Sequence, residues 1–151
     1  MKKIVIASAL ALAAVASMAA EVGITAGRDF AGTDQNVVGI TLTEKISKNV
    51  GLIAGFERTE PSNFVQNRFS LGGSYGLFSV GKATVAAKAG VAYLDNATVV
   101  DGWAAAVGVG ADVPLTKTVS ATVDYRYQGA LQDRVKQFDG SNVAFGLKYK
   151  F

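Results

Sequence analysis

The chain has 151 residues, half of them apolar, with 17 Gly, two Pro and a formal net charge of +3. That size suits one domain or one membrane-embedded unit, and the apolar content excludes global disorder. With no Cys and no His there are no disulfides, no Cys-based zinc site and no thiol-anchored lipid, and the commonest general base and transition-metal ligand are missing.

Residues 1–20 read as a cleaved export signal. Lys2 and Lys3 open it, residues 4–16 are apolar, and Ser17 and Ala19 fit a small-x-small site cut after 19 or 20. Without Lys2 and Lys3, 13 basic residues face 12 acidic ones, so the basic balance carries no nucleic-acid footprint. No later stretch supplies the ~20 continuous apolar residues of a membrane helix. The mature chain, 21–151, is therefore soluble or crosses a membrane as strands.

From residue 21 the pattern alternates with period two in eight stretches: 22–28, 37–43, 50–57, 68–77, 85–93, 103–113, 119–128 and 143–151. Turn-forming clusters separate them, with no helical period and no long linker. The spacing predicts an all-β, eight-stranded antiparallel up-and-down barrel. Its apolar face points either inward, as in a soluble carrier, or outward into lipid.

Sorting the two faces decides between them. One face carries Val, Ile, Leu, Ala and ten of the 14 aromatics; the other carries 11 of the 17 glycines, Ser, Thr and the charges Glu57, Arg68, Lys88, Asp112, Asp124, Arg126, Lys148 and Lys150. Ten rings do not fit inside so narrow a barrel, whereas small residues suit its bore and let a few long polar side chains cross it. A charge on the lipid face costs about 2–4 kcal/mol at the midplane, which accounts for the apolar face. The spacing therefore predicts a transmembrane barrel. Phe56, Phe69, Tyr93, Trp103, Tyr125 and Tyr127 fall near one end of the strands, and Tyr75, Tyr149 and Phe151 near the other, as two girdles. An even strand number puts both termini on one side, the periplasmic side for an exported barrel.

The leader, the eight alternating strands and the ending Val143-Ala-Phe145-Gly-Leu147-Lys-Tyr149-Lys-Phe151 resemble the small outer-membrane barrels of Gram-negative bacteria, the OmpA transmembrane domain and its OmpX-like relatives. The resemblance implies residence in the cell outer membrane, among outer-membrane lipids and lipopolysaccharide, as a monomer. It also implies that Leu147, Tyr149 and Phe151 form the signal read by the barrel-assembly machinery, with periplasmic chaperones as transient partners. The peptidoglycan-binding domain of full OmpA proteins is not expected, so a cell-wall anchoring role is in doubt.

Three short motifs carry little. The segment from Gly76 to Ala83 approaches a phosphate-cradling loop but places Ala where a hydroxyl must meet magnesium, and reads as a hairpin turn. Gly108-Val-Gly110 lies mid-strand, and Asn96-Ala97-Thr98 is a chance glycosylation triplet. The enzymes known among outer-membrane barrels use a His with Ser, Asp or Asn, and this chain has no His. Ser70, Ser74 and Lys88 read as interior packing rather than as a nucleophile and its base. No enzyme, cofactor or metal is expected.

The inward charges Glu57, Arg68, Lys88, Asp112, Asp124, Arg126 and Lys148 form the informative constellation. Each must pair or stay in water. A salt-bridge ladder that plugs the bore is the favoured reading; resemblance to OmpA suggests instead a gate that admits ions. The outer connections are read as 29–36, 58–67, 94–102 and 129–142, the inner ones as 44–49, 78–84 and 114–118. Loop 129–142, with Arg134, Val135, Lys136 and Phe138, is the one candidate for an adhesin surface. Three functions stay open: an envelope-integrity barrel with a plugged interior, a low-conductance channel, and an adhesin or receptor.

Overall fold

The computed structural model describes residues 21–30, 35–59, 66–96 and 101–151. The predicted leader lies outside them, as do parts of three predicted outer loops. The strands are β1 (Glu21–Asp29), β2 (Gln35–Lys45), β3 (Val50–Thr59), β4 (Gln66–Val80), β5 (Ala83–Asn96), β6 (Gly102–Pro114), β7 (Val119–Ala130) and β8 (Gly140–Lys150). Each pairs antiparallel with the next, and β8 closes on β1. Closure gives every strand a partner on both sides, which a spanning sheet requires because lipid offers no hydrogen bonds.

The alternation sets which way each side chain points. Ile24 pairs with Ile40 on one side and Leu147 on the other, and all three are exposed on the outer wall. Leu71, Val107 and Phe145 continue that wall, each about 60% exposed. Leu42, which alternation places in the same row, is buried. Inward lie glycines, Ser, Thr and charges, with Glu57, Arg68, Thr122 and Lys148 buried. An outer wall of branched aliphatic residues around a polar bore is built for a lipid solvent.

Rings mark both ends of that wall. The cross-strand partners Phe56 and Phe69 pack tilted with ring centres 5.0 Å apart, and Tyr93 and Trp103 meet edge-on at 5.2 Å, towards the end that carries the long connections, hereafter the loop end. Tyr149 and Phe151 meet at 5.1 Å at the opposite, turn end.

The strands run further than the periodicity predicts. Towards the loop end, β1 continues to Asp29, β3 to Thr59 and β7 to Ala130, and β8 begins at Gly140. At the turn end the expected connection 78–84 contracts to Gly81 and Lys82, with Gly81 at φ +61°, a conformation that favours glycine. A register shift between Gly76 and Phe78 is the cause: one extra residue enters β4 and turns Phe78 outward, a place strict alternation gives to Leu77.

Candidate functional site

The bore holds three tiers of charge, the first of which crosses it. Nearest the loop end, Glu57 on β3 and Arg68 on β4 are direct register partners, and Arg68 Nη1 donates to Glu57 Oε2 at 2.8 Å. The other arm of Arg68 donates to Asp29 Oδ2 on β1 at 2.6 Å. From β7, Arg126 Nη1 and Nη2 donate to Glu57 Oε1 and Oε2 at 3.1 and 2.6 Å. Two arginines and two carboxylates thus form one neutral network. Its charge-assisted, forked hydrogen bonds offset the desolvation that makes a lone buried ion costly. Gly39 leaves the room it needs, since a Cβ there would stand 2.8 Å from Glu57 Cγ.

At mid-height Lys88 on β5 donates to Asp124 on β7, and Thr122 Oγ1 donates to the other carboxylate oxygen at 3.3 Å. Gly110 is again permissive, because a Cβ there would collide with this pair. Lower still, Lys148 Nζ donates to both oxygens of Asp112 at 2.7 and 2.9 Å. The seven predicted charges therefore pair among themselves and with one carboxylate the periodicity left in a loop. Asp29 shares the inward parity of Gly23, Thr25 and Gly27, one step beyond the predicted end of β1.

Above the first tier the bore turns apolar. Inward-facing Ala92, Leu94 and Ala104 enclose Val135, which has no exposed surface, with Ala130 and Phe138 packed alongside. Val135 belongs to a 3-10 helix, Asp133–Phe138, that lies over the β5–β7 end of the barrel. Gln128 Nε2 donates to the Phe138 carbonyl at 3.2 Å, and Asp139 Oδ1 accepts from the Ala130 amide at 2.6 Å. Gly102 admits the helix: a Cβ there would stand 2.9 Å from a Val135 methyl. The loop read as 129–142 is shorter than expected and turns its valine inward. Only Arg134 and Lys136 of its four singled-out residues are exposed.

Little in this geometry points to catalysis. Ser70 Oγ donates to the Gly55 carbonyl at 3.5 Å. Ser74 is the register partner of Lys88, but the ammonium is engaged by Asp124. Among the described residues no group of three or more acidic side chains is placed to hold a metal ion. Outside the spanning wall, the Tyr93 hydroxyl donates to Asp101 and holds that carboxyl below its ordinary range.

No protein-family model matches the chain, and no curated protein sequence does. Solved structures do. Neisserial surface protein A superposes with a TM-score of 0.72 at 13% identity, covering 87% of this chain and 95% of that one. The N-terminal β-barrel domain of Pseudomonas aeruginosa OprF gives 0.71 at 17%, covering 87% and 96%. The chain has the fold of the small eight-stranded outer-membrane barrels. The outer-membrane enzyme PagL shares this fold, with a TM-score of 0.56 at 15% identity, covering 87% and 99%. At these identities the likeness concerns the fold, and activity has to be argued from the side chains.

Proposed function

We propose that the protein is an outer-membrane barrel with a structural, envelope-integrity role and an interior closed to steady conduction. The observation that carries this reading is the double closure at the loop end. The Asp29–Arg68–Glu57–Arg126 network spans the bore, and Val135 fills the apolar space above it. A conducting path at that end needs both to move.

The same reading places both barrel ends, Glu21 and Lys150, on the periplasmic side, in a monomer inserted by the barrel-assembly machinery. Support comes from the even strand number and from the Tyr149–Phe151 ring pair on the closing strand. It is a non-enzymatic role, because the chain has no His and Lys88 is held by Asp124. Planar-bilayer recording on refolded protein tests it. Negligible steady conductance is expected, and sustained single-channel steps from the unaltered protein would overturn the closed interior.

A further inference from the structure

The lower bore is not filled. Below Lys88 a cavity of about 360 Å³ opens towards the turn end, far above the roughly 10–15 Å³ that one water requires. Hydroxyls line it, among them Thr43, Ser47, Ser74 and Ser120. Five lysines line it too: Lys45, Lys48, Lys82, Lys88 and Lys148.

The carboxylates that line or reach the well are already engaged, and Glu44, beside Lys45 on β2, is not among its lining residues. Glu21 is held by Lys45 at 2.9 Å, Asp112 by Lys148 at 2.7 Å, and Asp124 by Lys88. Lys48 and Lys82 carry no ion pair among the described residues. They stand on neighbouring connections, 46–49 and 81–82, joined through the β3–β4 pairing where the Gly76 amide donates to the Asn49 carbonyl at 2.7 Å. The well is therefore cationic, rich in hydrogen-bond donors and walled by a lipid-embedded sheet. Lys48 and Lys82 are themselves exposed, so the surplus positive potential stands at the mouth of the well, where it attracts an anion to the entrance. A divalent cation finds no spare carboxylate there.

We propose that this well binds a small soluble oxyanion, such as phosphate, sulfate or a compact carboxylate. The anion enters at the turn end between Lys48 and Lys82 and stops at the Lys88–Asp124 pair. It does so whether or not the loop end ever opens, so the site stands apart from the conductance question.

The test is a titration of the refolded protein with inorganic phosphate in a phosphate-free, uncharged detergent, read by amide chemical shifts of residues 46–49 and 81–84. Saturable shifts are expected at both connections. In Lys48→Gln/Lys82→Gln the dissociation constant should rise about tenfold, and in Lys117→Gln/Lys150→Gln, which lies off the well, it should stay within about twofold. Retained heat-modifiable gel mobility shows that each variant is folded. Shifts that never saturate, equal weakening in the control variant, or a saturable response to calcium at the same residues would overturn the proposal.

Discussion

Arg126 on β7 closes both of its terminal nitrogens on the carboxylate of Glu57 on β3, at 3.1 and 2.6 Å, although three strands lie between them in either direction around the barrel. Glu57 also receives Arg68 from the adjacent strand, so one carboxylate ties three strands together across the bore. Removing it leaves two guanidinium groups facing each other with only Asp29 for balance.

Glu57→Ala should therefore destabilise the barrel by about 3–5 kcal/mol, the cost of breaking a buried pair by removing one partner. Urea unfolding in lipid vesicles measures this. The same variant, recorded in planar bilayers, should show more open events than the unaltered protein, because the first tier no longer spans the bore.

Val135→Ala should cost about 1–2 kcal/mol, the value of the buried methyl groups together with the void they leave. The loss should be local. Hydrogen exchange is expected to speed up within residues 131–139 and to leave the strands unchanged, and limited proteolysis should cut there first.

Outward residues face lipid, and two measurements check this. Val107→Arg should cost about 2–4 kcal/mol in vesicles, the depth-dependent price of a cation near the midplane. Trp103, the sole tryptophan, is 47% exposed on the outer wall near the loop-end girdle. Its fluorescence should be quenched by lipids carrying bromine on their tails, most strongly near the headgroups.

The Asp101 carboxyl is held down by the Tyr93 hydroxyl. A depressed folded value means that this contact contributes stability above the ordinary aspartate range and loses it as pH falls through the folded value. Tyr93→Phe should return the Asp101 titration, followed by carboxyl NMR, to that ordinary range. An unchanged titration in the variant would show that the hydroxyl does not hold the group.

Much of this architecture is legible in the sequence because a two-residue period leaves little freedom. Once Ile24, Ile40 and Leu147 share a face, Gly23, Thr41 and Lys148 share the other, and closure follows from eight such strands. Asp29 escaped because a strand end has no apolar partner to mark it, although its parity is correct. The Gly76–Phe78 shift escaped for a different reason: an inserted residue resets the period it would be read from. The Val135 closure has no signature in the loop itself. It depends on Ala92, Leu94, Ala104 and Gly102 leaving a hollow, which only the assembled strands create.

The β4–β5 hairpin has a bearing on how the molecule sits in its solvent. Val50 pairs with Tyr75, so residues 76–80 of β4 run on past the end of β3, carrying exposed Leu77, Phe78 and Val80. The greasy skirt is consequently taller on one side of the cylinder than on the other. A bilayer of even thickness meets such a skirt only by leaning the cylinder axis or by thickening beside this ledge.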